Sequence, residues 1–270
     1  MTTQTAPSPL PKGRAQLGQV LRGAGEVVSV DDVSGILNVE RQVASKLLAR
    51  WNGQGLVRRL RRGFYAPVPI AAFGQEQVLE DPWVVVPELF GPACIGGWSA
   101  AEHWGLTEQL FRSTCVLTAR PIREKEQLIE GLPFTLKHVQ PEVLFALRTV
   151  WRGSVRIDVS SPAKTIIDML DDPAIGGGIR HVADCLAAYV EREDASGDDL
   201  LDIADRLGNR AVFKRLGFLA ERLPGQRDLA EACHERLSRG TAKLDPSAPC
   251  PSLVTRWRLW VPPSWSREPA

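Results

Sequence analysis

Between Asn38 and Pro69 the chain reads NVERQVASKLLARWNGQGLVRRLRRGFYAPVP, and seven Lys or Arg there face a single acid, Glu40. Periodicity predicts a helix from Glu40 to about Asn52, with Asn38 as N-cap and Gly53 and Gly55 ending it. At about 100° per residue, Val43, Ala44, Leu47, Leu48 and Trp51 fall on one arc. Gln42, Ser45, Lys46 and Ala49 fall on the opposite arc, flanked by Arg41 and Arg50. Small residues and hydrogen-bonders on an outer arc suit a helix lying in a major groove, because bulk there would hold the backbone off the base edges. Leu56–Leu60 and Phe64–Ala66 then predict a hairpin, with Gly63 in its turn and Arg58, Arg59, Arg61 and Arg62 along it.

Two helices are expected ahead of this stretch. Ala15–Ala24 carries Leu17, Val20 and Leu21 at helical spacing. Asp31–Leu37, opened by Ser29 or Val30, has an acidic first turn that suits the positive helix end. Three helices followed by a basic hairpin is the order of a winged helix-turn-helix. Charge is distributed accordingly. Residues 1–69 hold ten Lys/Arg and four Asp/Glu, net +6, and the remainder hold twenty-three and twenty-eight, net −5. A whole-chain value of +1 hides a basic head on a mildly acidic body, and such a head is the electrostatic mark of a surface that meets phosphates.

The 270 residues, 44% hydrophobic and 24% charged, suit two soluble globular domains at about 100–200 residues each. No stretch approaches the roughly 20 apolar residues of a membrane span. The amino terminus lacks the apolar core of a secretory signal. Five scattered cysteines with no C-x-x-C pair, and four histidines apart from them, argue against a disulfide framework or a structural zinc. A cytoplasmic protein without a cofactor is the expectation.

The body, residues 70–261, reads as mixed α+β. Helices are expected at Asp81–Phe90, at Ser99–Trp104 with Ser99 and Glu102 as a capping box, and at Ala163–Leu170, Ile179–Glu193, Leu200–Leu207, Ala211–Arg222 and Asp228–Ser238. Strands are expected at Cys115–Thr118, Pro133–Val139, Val155–Val159 and Leu253–Val261. Residues 1–13 and 262–270 read as tails around a head spanning 14–69.

Several motifs reduce to structure. Ser161-Pro-Ala-Lys164 matches the S-x-x-K of penicillin-interacting enzymes but lacks their companion motifs, and reads as a helix N-cap. Gly153-Ser154 with Asp158 lacks the second acid that metal-dependent nucleotidyl transfer needs, since Ser160 stands in its place. Gly176-Gly177-Gly178 lacks the further residues of a phosphate loop and reads as the start of a helix. Lys164 and Asp168 are spaced as an i,i+4 pair, worth about 0.2–0.5 kcal/mol.

In order along the chain stand the basic head ending in RRLRRGFYAPVP, then IGGWSAAEHWGLTEQ (95–109), VSSPAKTIIDML (159–170), GGGI (176–179), GNRAVFKRLGFLAERL (208–223) and KLDPS (243–247). This succession, spanning roughly Leu17 to Val261, resembles the AbiEi family of antitoxins and transcriptional regulators encoded beside nucleotidyltransferase toxins of phage-abortive-infection systems. The resemblance implies a bacterial cytoplasmic, non-enzymatic protein. Its head would bind inverted repeats in double-stranded DNA of its own promoter and repress it, while its larger domain neutralises the toxin directly or indirectly. One head buries too little surface for tight specific binding, so two copies are expected on the repeat. A protein-interaction antitoxin that contacts the toxin through the helices of residues 179–238 is the alternative. On the residues themselves, Gln42 and Ser45 are base-reading candidates and Lys46 suits guanine or phosphate. Arg41 and Arg50 suit phosphates or bases, and Arg61 or Arg62 a minor groove. Arg41, Lys46, Arg50 and three wing arginines reaching phosphates or bases predict a log–log salt slope near −5 per half-site. Arg210, Lys214 and Arg215 are the candidate antitoxin surface.

Overall fold

The computed structural model describes residues 12–68 and 81–266. The expected boundary at 69/70 lies outside them, as do residues 1–11 and 267–270 of the expected tails. The fold is mixed α+β and divides into two compact units. The first runs to Leu89 and takes in Ile129–Leu132 and Trp151–Arg156; the second holds the rest.

The first unit opens with α1 (Lys12–Gly23), β1 (Val28–Ser29), α2 (Val30–Leu37), α3 (Arg41–Gly53), β2 (Val57–Arg61) and β3 (Phe64–Pro67). The first helix thus begins within the stretch expected as a tail. Ser29 caps α2 reciprocally: its hydroxyl accepts from the Asp32 N–H, and the Asp32 carboxylate accepts from the Ser29 N–H, which satisfies two otherwise orphaned donors. Asn38 is not the N-cap of α3. It closes α2 in the left-handed conformation, φ 50°, which asparagine tolerates better than most residues, and Glu40 precedes α3 without a side-chain cap. The strands pair antiparallel in the order β1-β3-β2. Leu17, Val20, Val28, Val33, Ala44, Leu48, Trp51, Val57 and Tyr65 form one apolar core between helices and sheet.

The inner arc of α3 is narrower than its periodicity predicts. Ala44, Leu48 and Trp51 are buried and Leu47 is half-buried, but Val43 is 44% exposed. A short turn Pro82–Val85 and α4 (Val86–Phe90) occupy the place of the single helix expected over Asp81–Phe90.

The second unit holds most of a sheet made of β4 (Ala93–Ile95), β5 (Thr114–Thr118), β6 (Glu126–Ile129), β7 (Leu132–His138), β8 (Leu147–Arg152) and β9 (Val155–Ser160), in the order β6-β7-β5-β4-β9-β8. The pair β5/β7 runs parallel, β4/β5 antiparallel and β4/β9 parallel. Helices α5 (Gly97–His103), α6 (Pro162–Asp171), α7 (Ile179–Val190), α8 (Gly197–Leu207), α9 (Arg210–Ala220) and α10 (Arg227–Glu235) belong to the same unit. Leu170, Leu186, Phe213, Leu216 and Trp257 lie at the centre of their core.

Two expectations for this unit fail for tertiary reasons. Ser99 does not cap α5, which starts two residues earlier; the Ser99 hydroxyl is buried and accepts from the Cys115 N–H at 2.9 Å. Leu253–Val261 is not one strand. β11 (Ser252–Val254) and β12 (Leu259–Val261) pair antiparallel around the turn Thr255–Trp257, beside β10 (Ala242–Lys243). The turn drives the Trp257 ring into the core against α9, where a Cβ on Gly217 would stand 2.1 Å from it. Only glycine leaves room for that ring.

Among the described residues no helix is long and apolar enough to cross a membrane, and all five cysteines are free thiols. Burial pushes the thiols of Cys94, Cys185 and Cys233 up to about 12 and raises that of Cys115 as well. The thiolate is the reactive form. At pH 8, iodoacetamide should therefore modify at most Cys250 in the folded protein and all five after denaturation; mass spectrometry counts the adducts.

Candidate nucleic-acid interface

The outer face of α3 and the β2–β3 turn border one groove of about 640 Å³, lined by Arg41, Gln42, Ser45 and Ala49 from the helix and by Arg59, Arg62, Gly63 and Tyr65 from the hairpin, with Val30. Gly63 has φ 86°, a conformation that glycine adopts without steric cost, and it turns the chain at the rim. Lys46 and Arg50 continue the exposed face of α3 beyond the lining.

The seven basic side chains of this region divide by what they touch. Lys46, Arg50, Arg59 and Arg62 have no hydrogen-bond or ion-pair partner among the described residues for their charged ends. Arg41 meets Asp31 in an ion pair whose partners are 72% and 67% exposed, a pair worth about 0–1 kcal/mol and readily exchanged for another anion.

Arg58 and Arg61 are engaged differently from the expectation that made them contacts for an outside ligand. The Arg58 guanidinium lies 2.9 Å from a Glu130 carboxylate oxygen, both largely shielded. Arg61 donates to the Leu89 carbonyl and sits 4.7 Å from the Phe64 ring centre. The physical reason is a bulge. The register of β2 on β3 slips between Arg59 and Arg61, which upsets strict alternation. Arg59 and Arg62, three apart, consequently both line the groove, while Arg58 and Arg61 are drawn to partners within the unit. Nothing in the local sequence reveals Glu130 or Leu89 as those partners.

The second candidate surface does not exist as expected. Arg210 is exposed and paired with Asp205, but Lys214 and Arg215 are only 2% and 4% accessible. Lys214 Nζ donates to the Ser238 hydroxyl and the Gly240 carbonyl. Arg215 donates from Nε to the Lys243 carbonyl and from Nη1 to the carbonyls of Leu170 and Asp171, so it caps the C-terminal end of α6. Burial pulls both pKa values down. These are interior braces.

Other motifs resolve likewise. Ser161 caps α6 by accepting from the Lys164 N–H, and the Lys164 ammonium is ion-paired with Asp168, so it is not offered to the Ser161 hydroxyl as an activating base. The glycine run and KLDPS meet: Asp245 Oδ2 accepts from the Ile179 N–H at 3.3 Å. A carboxylate thus holds the positive end of α7 where a phosphate would otherwise sit.

Scans of protein-family models and of curated proteins find no match to this chain.

Proposed function

We propose that the chain is a non-enzymatic, cytoplasmic repressor that binds double-stranded DNA of its own promoter, and an antitoxin of the AbiEi kind. The observation that carries the DNA-binding half is the groove between α3 and the β2–β3 turn, with Arg59 and Arg62 in its lining and Lys46 and Arg50 on the exposed helix face beyond it, all four unpartnered among the described residues. The succession α1, β1, α2, α3, β2, β3 supports reading this region as a winged helix-turn-helix, with α3 as recognition helix and the hairpin as wing. On this reading Gln42 and Ser45 face base edges, while Lys46, Arg50, Arg59 and Arg62 meet phosphates or guanine. A single head covers too little DNA for tight specific binding, so two copies sit on an inverted repeat.

The antitoxin half rests on the order of motifs, which points to a nucleotidyltransferase toxin encoded next door. With Lys214 and Arg215 buried, those two side chains do not offer themselves for a direct contact with it.

A gel shift on the intergenic DNA upstream of the gene, at several salt concentrations, tests the DNA half. Four to five phosphate contacts give a log–log slope of about −3.5 to −4.5 per copy. A slope near zero, or equal affinity for random duplex, removes the assignment. Co-expression of the full chain with the adjacent gene tests the antitoxin half, and undiminished toxicity refutes it.

A further inference from the structure

Resting on that reading, we infer that Glu130 is a positioning residue for the wing: through Arg58 it holds β2 so that Arg59 and Arg62 stand in the groove. Two independent observations meet at this residue. The first is the ion pair with Arg58 at 2.9 Å, largely shielded on both sides. Together with the bond from Arg61 to the Leu89 carbonyl, it fastens the same strand at two points three residues apart. The two arginines that line the groove alternate with the two that are fastened.

The second observation is the backbone of Glu130 itself. Glu130 and Gly131 form the two-residue turn between β6 and β7, with φ of 51° and 79°. A turn with both central residues at positive φ favours asparagine, aspartate or glycine first. Glutamate is poorly suited to it, because its Cβ crowds the backbone there. A side chain kept where the backbone would be better served by another residue points to a role for that side chain. Its carboxylate is on Arg58, so the role is to hold the wing strand.

The two needs oppose each other, and this separates positioning from plain structural support. Glu130→Asn relieves the turn and removes the ion pair. In the full chain it is expected to leave the melting temperature unchanged or raise it, yet to weaken retardation of the upstream intergenic DNA by about fivefold, the scale of one lost modest interaction. The loss acts through Arg59 and Arg62, so adding Glu130→Asn to Arg59→Ala/Arg62→Ala should weaken binding no further. The exchange Arg58→Glu/Glu130→Arg should restore affinity to within about twofold, since the pair is kept with its signs reversed.

Undiminished affinity in Glu130→Asn overturns the inference. So does an affinity loss that comes with a lower melting temperature, or one that persists at full size without Arg59 and Arg62. Failure of the underlying reading looks different: either the unaltered chain retards no duplex, or Arg59→Ala/Arg62→Ala binds like it.

Discussion

Replacing Lys46 and Arg50 together with alanine is expected to abolish retardation of the upstream DNA while leaving the fold untouched. Both side chains are exposed, and among the described residues neither charged end has a partner. Their removal costs no internal hydrogen bond, and surface changes of this kind stay within about 0.5 kcal/mol of the parent's stability. Alanine is also a strong helix former, so α3 loses nothing in propensity. The cost falls on the complex. Two lost contacts to phosphate or guanine come to about 2–4 kcal/mol, roughly 30- to 1,000-fold in affinity. Gel shifts measure the loss, and circular dichroism with the melting temperature verifies the fold. Retardation equal to that of the parent would take α3 out of the interface and leave the groove without a ligand.

What the sequence disclosed follows a physical line. The helices and the hairpin of residues 12–67 were legible because period and breakers agree there: Ala44, Leu48 and Trp51 recur at helical spacing, Gly53 and Gly55 interrupt, and Gly63 turns. The outer arc of α3 was legible for the same reason, since solvent tolerates any polar residue on that side. The division of the arginines was not. It depends on a bulge that changes no residue type and on Glu130 and Leu89, which lie far along the chain from the hairpin. β6 and β8 escaped notice because they are edge strands; EQLI and LRTVWR show no alternation to read.

The buried charges mark the limit of a local pattern. Lys214, Arg215, Lys164 and Asp168 look like solvated charges to any local pattern. What permits their burial is a set of partners outside the local pattern: the carbonyls of Gly240, Lys243 and Leu170 and the Ser238 hydroxyl accept from Lys214 and Arg215, and the Ser160 hydroxyl donates to Asp168. Local spacing does suggest that Lys164 can reach Asp168. It gives no sign that the rest of the chain closes over both.

That closure sets the second large effect, in Lys164→Met. The lysine and Asp168 are ion-paired at 1% and 2% side-chain accessibility, and the second Asp168 oxygen accepts from the Ser160 hydroxyl at 2.9 Å. The ring of Phe145 lies 4.9 Å from the ammonium. An exposed i,i+4 pair would be worth about 0.2–0.5 kcal/mol. Removing one partner of a buried pair instead strands the other charge, at about 3–5 kcal/mol, and chemical denaturation should show a loss of that size. Lys164→Met/Asp168→Leu should recover much of it, because two apolar side chains carry no charge to desolvate. The pH dependence supplies an internal check. Burial pushes the Asp168 carboxyl upward, and Lys164 and Ser160 pull it back. Without Lys164 the upward push is less opposed, so the folded carboxyl binds its proton more tightly than the unfolded one. A raised acid favours folding where it is protonated, and that advantage fades as pH climbs above the unfolded value of about 4. The deficit of Lys164→Met relative to the parent should accordingly be smallest near pH 4 and widen towards pH 7. A deficit independent of pH would mean that lost packing, not the stranded carboxylate, governs the cost.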